Sequence, residues 1–144
     1  MEYTVKNDTK ISKITLGTAQ LGQSYGINNT SGIPDGKEAE NILNTALSLG
    51  INTFDTSNDY GDSEKIIGEF FGRRKESPVI VTKTGAEGSK AALYDMLAEN
   101  AEKSLKNLNV SSLPCLMLHH EKFVAEYGRA LIDAMNKLKS NGII

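Results

Sequence analysis

Phe54-Asp55-Thr56-Ser57-Asn58-Asp59-Tyr60-Gly61-Asp62-Ser63-Glu64 places an acid and a phenol five residues apart at the end of a short apolar run. Two later runs end in the same way: Lys83 follows Val79-Ile80-Val81-Thr82, and His119 follows Leu116-Met117-Leu118. Short, continuous apolar runs are the mark of strands buried on both faces of a parallel sheet. Three such strands in succession thus finish in an ionisable side chain, the pattern of a shared active site.

Working outward, four strand-like runs can be marked: Ile14 to Leu16, Asn52 to Phe54, Val79 to Val81, and Leu116 to Leu118 with the residues just before it. An amphipathic helical segment follows each. The first helix starts at Asp35, where Asp35-Gly36-Lys37-Glu38 has the form of a capping box, turns Ala39, Ile42, Leu43 and Ala46 to the core, and ends at Gly50. The second runs from Ser63 to Phe71, burying Ile66, Ile67 and Phe70, with Gly72 as its stop. The third carries Leu93, Met96, Leu97, Ala101, Ser104, Leu105 and Leu108 at helical spacing. The fourth uses Tyr127, Leu131, Ala134, Met135 and Leu138 and stops at Gly142. Met96, Met117 and Met135 fall at core positions.

Strand and helix alternate four times, and right-handed crossovers gather such units into a parallel sheet with helices outside. The α/β candidates are a doubly wound sheet or a barrel of strand-helix units. Ahead of them, Tyr3-Thr4-Val5 and Lys10-Ile11-Ser12 flank Asn7-Asp8 and suggest a small hairpin. The expected organisation is one domain over 1–144, with the hairpin in 1–12 and four strand-helix units in 13–144.

Bulk properties narrow the function. A chain of 144 residues can bury about 70% of its unfolded surface around one core. A net charge of -2 leaves no basic footprint for nucleic acid, and Arg73-Arg74-Lys75, the one tight cluster, suits a solvated helix end. The single cysteine, Cys115, excludes an intramolecular disulfide and a cysteine-rich zinc site, and reads as a buried thiol. No metal is implied. The N-terminus lacks a signal-peptide stretch and nowhere do about 18 apolar residues run together, so no membrane partner and a cytoplasmic location are expected.

In a parallel barrel the site lies at the carboxyl ends of the strands, where Asp55, Lys83 and His119 fall, with Tyr60 in the loop just beyond. Tyrosine is a weak acid on its own, but a neighbouring ammonium favours its phenolate. Lys83 is placed to supply that field, and Asp55 to keep Lys83 charged and fixed. His119 can hydrogen-bond the oxygen that receives the proton. Together these form a proton donor suited to a developing alkoxide, as carbonyl reduction requires, with the hydride coming from a cofactor. Singly each residue has a plainer reading: Asp55 as the cap of a turn, Lys83 as a surface lysine, Tyr60 as a loop aromatic, His119 as a structural histidine. Gly85-Ala86-Glu87-Gly88 lacks the GxGxxG pattern of a phosphate cradle.

These residues carry a resemblance: the chain resembles the N-terminal half of an aldo-keto reductase, a (β/α)8 barrel of TIM type. What matches is Leu16-Gly17-Thr18, Phe54-Asp55-Thr56 with Tyr60-Gly61 and Ser63-Glu64, Thr82-Lys83, and Leu118-His119, in order along nearly the whole chain. The resemblance implies hydride transfer from NADP(H) to a small-molecule carbonyl, an aldehyde or ketone. It implies Tyr60 as general acid, Lys83 and Asp55 as its tuning pair, and His119, which directly follows the apolar run, as the substrate-orienting group in preference to His120. Gly17, Thr18 and Asp55 would lie by the cofactor, Gly17 allowing close backbone approach, and Gln20 and Tyr25 would line the substrate mouth.

Only four of the eight units of such a barrel are expected here, since a complete one takes about 250 residues. The chain alone is therefore expected to be at best weakly active and to self-associate through exposed half-barrel edges. The alternative function is a non-catalytic barrel scaffold that binds a nucleotide or a protein partner. A further reading makes Lys83 a Schiff-base nucleophile, which an adjacent Asp55 disfavours by keeping the amine protonated.

Overall fold

The computed structural model describes residues 1–144. Strands β1 (Tyr3–Lys6) and β2 (Thr9–Ser12) form an antiparallel hairpin. Asn7 and Asp8, both at positive φ, make its two-residue turn, the conformation that Asn and Asp tolerate best among residues with a side chain. The hairpin docks at the amino-terminal end of the main sheet. Ser12 donates to the Ile14 carbonyl and lies 3.1 Å from Thr53 Oγ1, Asn52 Nδ2 donates to the Lys10 carbonyl, and the Tyr3 hydroxyl donates to the Gly50 carbonyl.

The main sheet is parallel, in the order β3 (Thr15–Gly17), β4 (Thr53–Asp55), β5 (Val79–Thr84), β6 (Cys115–Leu118). Sequential order with helices between neighbouring strands is the (β/α) barrel arrangement rather than a doubly wound one. The sheet is an open arc, not a closed cylinder. Register pairs Gly17 with Asp55, Asp55 with Val81, and Lys83 with Met117. Beyond the strand ends the ladder continues: Thr18 N–H donates to Asp55 O, Thr56 N–H to Val81 O, Asn58 N–H to Lys83 O and His119 N–H to Thr84 O. The backbone that carries the candidate site is thus tied to its neighbours strand by strand.

Helices α2 (Gly36–Ser48), α3 (Ser63–Gly72), α4 (Leu93–Leu108) and α6 (Arg129–Ser140) cover one face of the arc. Asp35 caps α2 by accepting from Glu38 N–H, as its sequence requires. Phe54, Ile80 and Leu116 meet Leu43, Ile67, Leu97 and Leu138 in a continuous core. Each large aliphatic side chain fully buried there contributes about 1.5–3 kcal/mol. Buried Glu64, in the first turn of α3, accepts from Thr82 Oγ1 of β5 (2.7 Å) and Asn107 Nδ2 of α4 (3.2 Å), pinning the three elements together.

Several expectations need correction. Met117 is 47% exposed rather than in the core, because it alternates with Leu116 and projects from the face of the arc that no layer covers. Ile42 is also exposed, so α2 packs through Ala39, Leu43 and Ala46. The fourth helical segment is two helices, α5 (Lys122–Tyr127) and α6, broken at Gly128, whose φ of +51° and ψ of -122° suit glycine. Tyr127, at the end of α5, donates its hydroxyl to the Gly88 carbonyl at 2.7 Å, and burial pushes its phenol up from the usual value. A short helix α1 (Ala19–Gly22) and a 3-10 turn (Lys90–Ala92) were not expected. No helix is long and apolar enough to cross a membrane.

Candidate active site

Asp55 is the last residue of β4, and Lys83 lies near the end of β5 on the same, uncovered face of the sheet. Both carboxylate oxygens of Asp55 are 2.7 Å from Lys83 Nζ. The ammonium also reaches the Thr56 carbonyl at 3.1 Å and the Tyr60 hydroxyl at 3.4 Å. It has three protons to share among these acceptors, so it is saturated without water. Its side chain is only 16% exposed, a position a lone ammonium would not hold at low cost.

Tyr60 sits in the loop between β4 and α3, with Lys83 Nζ 5.0 Å from its ring centroid. The loop is seated by glycine. A Cβ on Gly22 would lie 1.8 Å from the Tyr60 carbonyl oxygen and 2.5 Å from Ser63 N, so α1 and the Tyr60 loop touch backbone to backbone only because residue 22 has no side chain. Behind the loop lies a sealed cluster of hydroxyls, with Thr18, Thr56 and Ser63 all fully buried. Thr18 Oγ1 donates to the Asp55 carbonyl (2.8 Å), Thr56 Oγ1 donates to Ser63 Oγ (3.1 Å), and Ser63 Oγ is 2.9 Å from both Thr18 oxygens. These bonds fix β3, β4 and the start of α3 relative to one another, and with them Asp55.

His119 follows β6, and its ring stands edge-on to that of Tyr60 with centroids 5.5 Å apart. Its Nδ1 is 2.9 Å from Asp59 Oδ2 and 3.1 Å from Ser57 Oγ. His120 stacks on it at 5.0 Å and packs edge-on against Phe123. Asp55, Tyr60, Lys83 and His119 are therefore assembled at the carboxyl ends of three strands. Ser57, Asp59 and Gly22 belong to the same assembly and were not singled out from the sequence, and Thr56, matched there only as part of a motif, joins it through its carbonyl. Ser57 and Asp59 lie inside the interval between Asp55 and Tyr60, and that position was the available signal.

A cleft of about 260 Å³ opens beside these groups, lined by Gly17, Thr18, Ala19, Gln20, Tyr25, Asp55 and Tyr60. Gln20 and Tyr25 also border a wider hollow under the loop that follows α1, where Gln20 Nε2 donates to the Tyr25 carbonyl. Thr18 has no exposed surface and its hydroxyl is committed, so it forms the floor of the cleft. Gly17 is exposed, and a Cβ built on it meets nothing within 4 Å. Open space before Gly17, with the part-exposed carboxylate of Asp55 next to it, fits the sugar hydroxyls and flat ring of a nicotinamide nucleotide. No cluster of His, Cys, Asp and Glu suitable for a metal ion is present.

Against known proteins, residues 13–144 match the family model described as the Aldo/keto reductase family. The chain belongs to the aldo/keto reductase family. It is 32% identical over 143 residues to D-arabinose 1-dehydrogenase of Saccharomyces cerevisiae, a match that takes in 93% of this chain and 41% of that one. Among solved structures, PA4992 of Pseudomonas aeruginosa, assigned to the aldo-keto reductases, superposes with a TM-score of 0.76 at 30% identity, over 94% of this chain and 54% of its own. An aldo-keto reductase from Klebsiella pneumoniae, solved in complex with NADPH, shares the fold with a TM-score of 0.70 at 21% identity, over 95% of this chain and 44% of its own. The chain thus spans about half the length of the relatives it matches.

Proposed function

We propose that these residues form the proton-donating half of a site that reduces an aldehyde or ketone to an alcohol. The observation that carries this reading is the position of Lys83 Nζ, clamped by Asp55 at 2.7 Å and 3.4 Å from the Tyr60 hydroxyl. In this reading Tyr60 hands its proton to the carbonyl oxygen as that oxygen becomes an alkoxide, and the Lys83 ammonium stabilises the phenolate left behind. Asp55 holds the ammonium in place. His119 orients the substrate oxygen from the other side, and Gln20 and Tyr25 border the substrate's path.

NADPH, when bound, supplies the hydride. Gly17 and Asp55 would face it, with Thr18 behind them. The nucleotide bound to the Klebsiella relative supports that choice of cofactor, since both chains share the fold that holds the strand ends in place. The substrate is a small carbonyl compound.

Part of the same proposal is that this chain on its own self-associates. Strands β3 and β6 are the edges of the arc, and the inner face leaves Thr15, Gly17 and Met117 exposed.

The test is aldehyde-dependent oxidation of NADPH by a complete barrel containing these residues, in the wild type and in Lys83→Met. The reading expects the variant to lose about 10²-fold or more in kcat, within the range ascribed to a positioned proton donor. A variant as active as the wild type would overturn it.

A further inference from the structure

A serine at the start of a helix ordinarily turns its oxygen to the helix's own N–H groups. Ser63, the first residue of α3 and fully buried, turns its hydroxyl to the strand ends instead, and Asp62 before it makes no side-chain cap. Proton counting forces the direction of its bonds, because each hydroxyl has one proton to give. The Asp55 carbonyl, 2.8 Å from Thr18 Oγ1, only accepts and takes the Thr18 proton. The Thr18 carbonyl, 2.9 Å from Ser63 Oγ, also only accepts and takes the Ser63 proton, which Thr18 Oγ1 at 2.9 Å shares. Thr56 Oγ1, 3.1 Å from Ser63 Oγ, must then donate to it. Thr18, Thr56 and Ser63 are 0% exposed, so water does not stand in for any of these partners.

The two neighbours of Ser63 lead to the two groups of the proposed proton donor. Thr56 gives its carbonyl to Lys83 Nζ at 3.1 Å, and Tyr60 gives its carbonyl to Ser63 N–H at 3.0 Å. One residue thus holds a support of the ammonium with its side chain and the loop of the phenol with its backbone. We infer that Ser63 is a positioning residue for the Lys83–Tyr60 pair: its hydroxyl fixes Thr56, and the Thr56 carbonyl keeps the ammonium 3.4 Å from the Tyr60 hydroxyl. Asp55 supplies the opposite charge, and Thr56 fixes a further direction in which the ammonium points a proton. Without the Ser63 oxygen the Thr56 proton has no acceptor in the sealed cluster, a cost the chain relieves by moving Thr56.

The functional half of this inference rests on the proposed reductase chemistry of Lys83 and Tyr60, whereas the state of the ammonium is read without turnover. In lysine side-chain proton–nitrogen NMR of the 144-residue chain, an ammonium with its three protons bonded exchanges slowly with water and gives a signal that solvated lysines lack. Lys83→Met assigns it. The wild type is expected to show this signal, and Ser63→Ala to shift or lose it. Ser63→Ala with Thr56→Val removes the orphaned donor along with its acceptor, so it should regain the urea midpoint lost in Ser63→Ala while the Lys83 signal stays altered. In a complete barrel both variants should lower kcat for aldehyde reduction about tenfold at unchanged KM, the mark of a misplaced donor rather than weakened binding. A merely structural hydroxyl would instead return signal and kcat together with the midpoint in the double variant. That result overturns the inference, as does a Lys83 signal absent from the wild type or unmoved in Ser63→Ala. An altered signal with unchanged kcat overturns the functional half. Should Lys83→Met retain full activity, the reductase reading falls while the effect of Ser63 on the ammonium stands. Should Ser63→Ala fail to fold, the signal and kcat of the double variant against the wild type decide.

Discussion

Both carboxylate oxygens of Asp55 lie 2.7 Å from Lys83 Nζ, so one strand's terminal acid clamps the next strand's lysine under the Tyr60 hydroxyl. The clamp matters for stability as well as chemistry. Asp55→Ala leaves an ammonium that is 16% exposed with only the Thr56 carbonyl and Tyr60 as acceptors. Loss of charged hydrogen bonds costs about 1.5–3 kcal/mol, and a third of the Asp55 side chain is exposed, so water offsets part of it. The expected loss is about 1–2 kcal/mol in urea unfolding at neutral pH. Equal midpoints for variant and wild type would show that the pair is not coupled to the fold.

Gly22 offers a test of the loop that carries Tyr60. Its Cβ position is 1.8 Å from the Tyr60 carbonyl oxygen, and backbone atoms of Asp62 and Ser63 lie within 2.8 Å. Alanine at this position has no flexible neighbour to push aside and must move the loop. A misplacement on the order of 1 Å can cost about 10²-fold in rate. Gly22→Ala in a complete barrel is therefore expected to lower kcat by about 10- to 100-fold, with a stability loss of about 1–3 kcal/mol from overpacking. A variant with unchanged kcat would mean that the loop accommodates the methyl group without shifting Tyr60.

The open arc makes a prediction of its own. With β3 and β6 unpaired along their outer edges and Met117 47% exposed on the inner face, the sedimentation coefficient of the 144-residue chain should rise with concentration. Met117→Lys places a charge on that face and should weaken the effect. Sedimentation as a monomer at every concentration would rule out self-association through the arc.

What the sequence disclosed followed from backbone regularity. Continuous apolar runs marked the strands, and because such strands end at one rim of the sheet, Asp55, Lys83 and His119 are grouped by the sequence pattern alone. The hairpin turn at Asn7-Asp8 and the Asp35 cap were legible for the same local reason. The losses were tertiary. Met117 was expected in the core because a buried parallel strand has both faces covered, whereas this arc is covered on one. Asp59 resembled any solvated loop acid, since its partner His119 lies 60 residues away and only folding brings the two together. Gly22 was silent because its importance is a contact that a side chain would destroy. Glu64 could be matched to a motif, but its burial between Thr82 and Asn107 has no local signature.

The central claim is that Tyr60 donates the proton in a carbonyl reduction, and removing one oxygen atom tests it most directly. NADPH-dependent aldehyde reduction is measured for a complete barrel containing these residues, in the wild type and in Tyr60→Phe, with circular dichroism to verify the fold. The phenylalanine ring keeps the aromatic packing against His119 and loses only the hydroxyl 3.4 Å from Lys83 Nζ. A fall in kcat of about 10²- to 10⁴-fold with the fold intact is the predicted result; reduction at the wild-type rate would contradict the account.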